Sequence, residues 1–308
     1  MRKRPTKVNF AGRFFRIDKV LIDFNTFFRY SWFNTKRGGR MKIGFIGVGN
    51  MAQAVIKGLV KADQIATTDI LVHGAHPANY EAFAAEQHIT PVADNIAVVA
   101  QADIVFLAVK PYIVPLILEE TGAAFKEKQP LMVSMAAGLS LAKLSQQVDA
   151  DNLPILRIMP NVNVANRAGI TAVVGNAQVS ADQLKSVKDV LSQLGGVVEI
   201  GEKDFTTFSA LAGSSPAFVY LFIDSMARAG VKHGLTKKAA TEIAAQAVLG
   251  SAQNVLLSDD SPWDLIDKVS SPGGTTVAGL LAMEEAGLMS AVVKGIDATI
   301  EKDLESQK

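Results

Sequence analysis

Ile43-Gly44-Phe45-Ile46-Gly47-Val48-Gly49-Asn50-Met51-Ala52 is the stretch from which the rest of this 308-residue chain is read. Residues 43–46 are a short apolar run that ends in glycines, as a buried parallel strand does. Residues 52–59 read as a helix. The turn between them has the spacing G-x-G-x-x-G/A, which dinucleotide sites use. Gly47 allows the tight turn, and Gly49 lets a pyrophosphate approach the backbone. Val48, Asn50 and Met51 complete the loop, and Ala52 is small enough for the helix to pack on the sheet. The first turn of that helix offers unpaired N–H groups to phosphate. A lone match of this kind is weak. Its place between a strand and a helix is the context the mechanism requires. The competing reading is a glycine turn in an α/β domain that holds no dinucleotide.

Working outward, strands are expected at 70–72, 103–109, 131–134 and 155–158, the last ended by Pro160. Helices are expected at 78–87 and 140–148. A strand at 170–174, a helix at 181–194 and a strand at 197–200 complete the layer. This alternation predicts an α/β fold, a Rossmann-type domain with a mostly parallel sheet over residues 41–200. After residue 200 the strand signals cease. Residues 205–208 lead into a helix at 218–230. Thr236 can cap a long helix running to Leu257. Ser261-Pro262 with Asp264 reads as an N-cap, a first-turn proline and a first-turn acid. A helix at 276–286 is ended by Gly287, and a last one runs from 289 towards 304. Residues 201–308 are therefore expected to be an all-α dimerisation domain, whose apolar faces a second subunit could bury.

Composition narrows the function classes. There is no cysteine, so disulfides, thiolate nucleophiles and cysteine-held metals are excluded. His73, His76, His88 and His233 form no ligand pattern, so no metal is expected. No run of 18 residues is free of charge and apolar throughout, so no membrane span is expected. Residues 1–40 hold 11 Lys/Arg and 2 Asp, a net of +9, while the remainder holds 20 Lys/Arg and 28 Asp/Glu, a net of −8. A nucleic-acid partner would rest on the leader alone, and none is expected. Three readings of that leader compete: a targeting peptide, a membrane- or nucleic-acid-binding arm, or an extension upstream of a true start at Met41. A cytoplasmic location is expected.

An acid at the end of the second strand marks an NAD-type site. Here the end reads Val72-His73-Gly74-Ala75-His76, and Asp69 lies at the opposite end. NADP is therefore favoured, with NAD still possible as cofactor. His76 or His73 could touch the 2′-phosphate. Far along the chain, Ser270-Ser271-Pro272-Gly273-Gly274-Thr275-Thr276 precedes an apolar helix. Adjacent glycines at a helix N-terminus make an anion cradle suited to a carboxylate or phosphate. A plain capped helix start is the bland alternative.

The stretches GFIGVGNMAQAVIKGL (44–59), FLAVKP (106–111), SMAAG (134–138), RIMPNVN (157–163), LAGSSPAFVY (211–220), AAQAVLGSA (244–252) and VSSPGGTTVAGL (269–280) resemble the pyrroline-5-carboxylate reductase family over residues 41–308. The resemblance implies an imine reductase that makes L-proline with NADPH or NADH. It implies that the substrate carboxylate meets Ser271 and the N–H groups of Gly274 and Thr275. Thr276, as the catalytic residue, would hydrogen-bond the ring nitrogen. It puts Asn95 near the adenosine ribose, and Ala108, Val109, Lys110, Pro111, Met135, Ala136 and Ala137 along the cofactor. Met159, Pro160 and Asn161 fall on the nicotinamide side. It further implies a homodimer, a unit that in this family often assembles into decamers. The turn after the second strand departs from the family's common types, which bears on cofactor preference.

Rival functions fare worse. A β-hydroxyacid dehydrogenase needs a lysine in the interdomain helix with an asparagine four residues on. Residues 218–230 contain no lysine, and Lys232 is followed by Thr236. A nucleotide-binding regulatory protein would not need Thr276. Gly213-Ser214-Ser215-Pro216 lacks the strand and spacing of a serine hydrolase.

Overall fold

The computed structural model describes residues 40–148, 150 and 152–306, together with the backbone of β1 (Arg16–Ile17) and β2 (Val20–Leu21), which pair antiparallel. The leader readings otherwise lie outside the described residues. From there the chain runs through β3 (Ile43–Ile46), α1 (Asn50–Ala62), β4 (Ile70–His73), α2 (Pro77–Gln87), β5 (Thr90–Pro91), α3 (Asn95–Gln101) and β6 (Ile104–Leu107). It continues through α4 (Val114–Lys128), β7 (Leu131–Ser134), α5 (Leu141–Val148), β8 (Ile155–Pro160), β9 (Gly169–Gly175), α6 (Ala181–Ser192) and β10 (Gly195–Glu199). Helices follow: α7 (Phe205–Phe208), a π-helical turn (Ser209–Ser214), α8 (Ser215–Lys232), α9 (Lys237–Leu257), α10 (Pro262–Lys268), α11 (Thr275–Glu285) and α12 (Leu288–Ser306).

The sheet has eight strands in the order β10-β9-β8-β7-β6-β3-β4-β5, and every neighbouring pair is parallel except β8 with β9. This is the expected mostly parallel α/β sheet followed by helices. The chain leaves β3 for one side of the sheet and returns through β6 on the other. That switch point is where ligands bind, outside the carboxyl ends of the strands. Strands β3, β6 and β7 are buried at every residue, as a sheet covered on both faces requires. Phe45 stacks on Phe106 across the β3–β6 pair, with ring centroids 4.7 Å apart.

Some elements were not expected. Helices α3 and α4 lie on either side of β6, where a strand alone was expected, and a proline inside a helix ordinarily breaks it. Pro115 instead lies in the first turn of α4, where its missing N–H has no intrahelical partner to lose. Their buried faces, Val98 and Val99 from α3 with Leu118 and Phe125 from α4, join one core cluster. Strand β8 also runs through Pro160 rather than stopping before it. Its pairing with β7 ends at Arg157, so the last residues have β9 alone beside them. A proline is tolerated in such a position.

The described residues fall into two compact units, one of residues 40–219 and 290–306 and one of β1, β2 and 220–289. In the second, α8 and α9 form a hairpin that turns at Gly234, φ +98°. Gly230 lets them close: an added Cβ would lie 3.0 Å from the Ala240 Cβ. Asp224 accepts from Lys237 and Arg228, and these bonds, Lys237 first, hold its carboxyl below the usual range. Thr236 caps α9, and Ser261 with Asp264 makes a reciprocal box at α10, both where expected. Yet the buried residues of 220–289 are three alanines, Ala227, Ala240 and Ala244. Tyr220, Leu221, Leu249, Leu256, Trp263, Leu281 and Met289 are each at least 50% exposed. The helical run Glu202–Lys232 is long and apolar enough to cross a membrane by length and composition.

Candidate active site

The glycine turn sits at the switch point. Gly47 has φ +94°, and an added Cβ would lie 2.7 Å from Val109 Cγ1 and 2.8 Å from the Ala108 carbonyl oxygen. That close approach brings the strand ends together: Gly47 N–H donates to the His73 carbonyl, and Ala108 N–H to that of Ile46, each at 2.8 Å. Gly49 is different. It is the N-cap of α1 with extended backbone, and an added Cβ would meet nothing within 4 Å. Here the backbone faces open space, and no side chain caps the helix. This is what a phosphate needs, so the residues present fit a dinucleotide. Val48 is partly buried and its carbonyl accepts from Gln53; Asn50 is exposed, Met51 partly buried, and Ala52 is packed inside.

The other expected cofactor residues gather at the same edge of the sheet. Ala108, Val109, Lys110 and Pro111 follow β6; Met135, Ala136 and Ala137 follow β7. Met159 and Pro160 close β8, and Asn161 follows it. The Met135 N–H donates to the Leu107 carbonyl, which ties β7 to β6 beside the glycine turn. Asn95 opens α3 and is buried; its amide donates to Glu120 Oε2 at 2.8 Å. The two histidines separate. His73 Nδ1 is 3.1 Å from the Val92 carbonyl, and its ring lies against Tyr80. His76 is exposed at the N-cap of α2.

In the other unit, Ser271-Pro272-Gly273-Gly274 leads directly into α11. Gly273 has φ +67°, and Gly274 is an N-cap with no side-chain cap bond. The Gly274 N–H donates to the Ser271 carbonyl at 2.9 Å. It is thus spent on a turn, and the uncapped first-turn N–H groups of Thr275 and Thr276 are what the loop holds ready. Ser271, Thr275 and Thr276 are exposed. Ser270 differs from its neighbour: its hydroxyl oxygen is buried with no partner among the described residues.

Two family models match separate parts of the chain. Residues 42–138 match the family described as NADP oxidoreductase, coenzyme F420-dependent, and residues 202–306 match that described as pyrroline-5-carboxylate reductase dimerisation. The pyrroline-5-carboxylate reductase of Escherichia coli (strain K12) is 38% identical over 262 residues, 85% of this chain and 96% of that protein. The chain belongs to the pyrroline-5-carboxylate reductase family. The reductase of Aquifex aeolicus is 36% identical over 85% of this chain and 96% of its own. Among solved structures, the Streptococcus pyogenes reductase aligns with a TM-score of 0.74 at 43% identity, over 85% of this chain and 98% of its own. The Plasmodium falciparum pyrroline carboxylate reductase, solved with NADP bound, aligns with a TM-score of 0.77 at 30% identity, over 87% and 98%.

In this reductase-family chain, the structure adds partners that no local signal announces. Arg157, which opens the RIMPN stretch, is buried; its guanidinium lies 4.5 Å from the centre of the Phe205 ring and 3.1 Å from Glu202 Oε1. The same Glu202 oxygen accepts from the Leu141 N–H at 2.7 Å, at the start of α5. One carboxylate thus joins β8, α5 and the segment before α7. Asn161 is likewise engaged: its amide donates to the Ala212 carbonyl at 3.0 Å and its oxygen accepts from the Ile170 N–H at 3.3 Å. Glu202 and Ala212 lie 45 and 51 residues from their partners, beyond any sequence window.

Proposed function

We propose that this chain reduces the C=N bond of (S)-1-pyrroline-5-carboxylate to give L-proline, with NADPH as the preferred reductant. The observation that carries the reading is the uncapped start of α11 behind Ser271-Pro272-Gly273-Gly274, in a chain that keeps the open glycine turn at Gly49. A ring that carries a carboxylate fits that helix start, and a dinucleotide fits the glycine turn. The substrate carboxylate is held by Ser271 Oγ and the N–H groups at the start of α11. Gly274 joins them once its turn to Ser271 opens. Thr276 Oγ accepts from the protonated ring nitrogen and keeps it cationic, so that the adjacent carbon is electrophilic at neutral pH. A bound reduced nicotinamide supplies the hydride for that carbon. No strong acid is needed, and alignment provides much of the rate.

The preference for NADPH follows from the end of β4. No carboxylate stands there to bind a ribose 2′-OH or to repel a 2′-phosphate. His73 is committed to Val92, which leaves His76 and the first turn of α2 to receive the phosphate. The exposed apolar residues of 220–289 support burial in a homodimer, because helices apolar on several faces are stable when covered.

Loss of reduced-nicotinamide absorbance with pyrroline-5-carboxylate, NADPH and NADH in parallel tests both parts. Turnover with higher kcat/KM for NADPH is expected; no turnover by a protein that binds NADPH overturns the substrate. Thr276→Ala is expected to lower kcat about a hundredfold while the NADPH Kd changes less than about twofold. An unchanged kcat removes Thr276 from the chemistry.

A further inference from the structure

We infer that Asn161 is a positioning residue for the nicotinamide end of the cofactor, acting through the π-helical turn Ser209–Ser214 rather than by touching the ring. The inference rests on the dinucleotide reading above.

The cause lies in Pro216. It stands inside the continuous helical run Glu202–Lys232. A proline there has no N–H for the carbonyl four residues back, and its ring crowds that oxygen. The residue four back is Ala212, which is buried. The chain widens into a π-turn over Ser209–Ser214, the distortion that such a clash produces. Ser215 Oγ donates to the Leu211 carbonyl at 2.6 Å. The Ala212 oxygen is bonded by Asn161 Nδ2, from a side chain that is itself 6% exposed. A buried carbonyl without a donor is costly, and Asn161 supplies a donor to this one. With Ile170 N–H on its oxygen, the Asn161 carboxamide is largely spent inside the protein.

Its location gives the tether a function. The strand order places β6, β7 and β8 in succession on one side of β3, and β4 on the other. In a dinucleotide fold the adenosine half runs over the β4 side and the other half over β6 and beyond. Asn161 follows the carboxyl end of β8, three strand spacings or about 14 Å from β3. The π-turn it holds, with Leu211 and Gly213 exposed, is thereby tied to the strand end on the nicotinamide side.

Pro216→Ala distinguishes a tether from a direct contact, because it removes the cause of the π-turn and leaves the Asn161 side chain in place. The full-length protein and the variants Asn161→Ala, Pro216→Ala and the double variant are titrated with NADPH and with 2′,5′-ADP, which has no nicotinamide. Asn161→Ala and Pro216→Ala are each expected to weaken NADPH about tenfold and 2′,5′-ADP less than about twofold, with the double variant no weaker than either alone. A Pro216→Ala protein that binds NADPH as the parent does overturns the tether in favour of direct contact. Equal weakening of both ligands, or no weakening of NADPH, overturns the positioning role. If Asn161→Ala does not fold, Asn161→Asp serves, since it keeps the acceptor for Ile170 and removes the donor to Ala212. Failure of the unaltered protein to bind either ligand overturns the dinucleotide reading, and this inference with it.

Discussion

Gly49→Val is expected to raise the NADPH Kd by about a hundredfold, through loss of charge-assisted hydrogen bonds to the pyrophosphate. The protein should still fold. Gly49 has φ −76° and ψ 178°, a conformation open to any residue, and an added Cβ meets nothing within 4 Å. Glycine is a better N-cap than valine, so a stability loss of about 1 kcal/mol is the most this change should cause. Gly47→Ala is the contrasting control. With φ +94° and a Cβ 2.8 Å from the Ala108 oxygen, it should damage the fold itself. Calorimetric titration with NADPH, beside thermal unfolding of both variants, separates the two. A Gly49→Val protein that binds NADPH normally would show that the turn does not hold the dinucleotide.

Gly195→Ala is the change expected to destabilise the fold most. Gly195 opens β10 opposite Gly169 of β9, with φ +136°. An added Cβ would lie 2.0 Å from the Gly169 oxygen and 2.7 Å from its nitrogen. Both atoms are backbone within a paired strand, so neither can swing aside. The strained φ and the clash together are expected to cost about 4 kcal/mol and lower Tm by about 10 °C. Thermal unfolding followed by circular dichroism measures this. A Tm within about 2 °C of the parent would mean that β10 does not pack on β9 through this glycine pair.

The start of the α/β layer is written in neighbouring residues. Ile43–Ile46, the glycines and Ala52 lie within ten positions, and the strand, turn and helix formed there with Gly47 at positive φ. Thr236 and the Ser261-Pro262-Asp264 group cap α9 and α10 because a cap acts across three residues. Helix α4 has no cap of that kind: no side chain bonds its first turn, and Pro115 sits there instead. The antiparallel placement of β9 against β8 has no local signal either, because strand direction depends on what lies alongside.

The candidate site divides in the same way. Gly47, Gly49 and the loop before α11 could be assigned chemistry because backbone freedom and exposed N–H groups are properties of a short segment. What His73 and Asn161 do was decided by Val92, Ile170 and Ala212, and Arg157 was engaged by Glu202. The sequence by itself determined where the chain turns, where helices begin, and which backbone groups a ligand can reach. The tertiary structure decided which polar side chains remain available for that ligand. A hydrogen bond is satisfied by whichever group the fold brings within about 3 Å, however far away it lies in the chain.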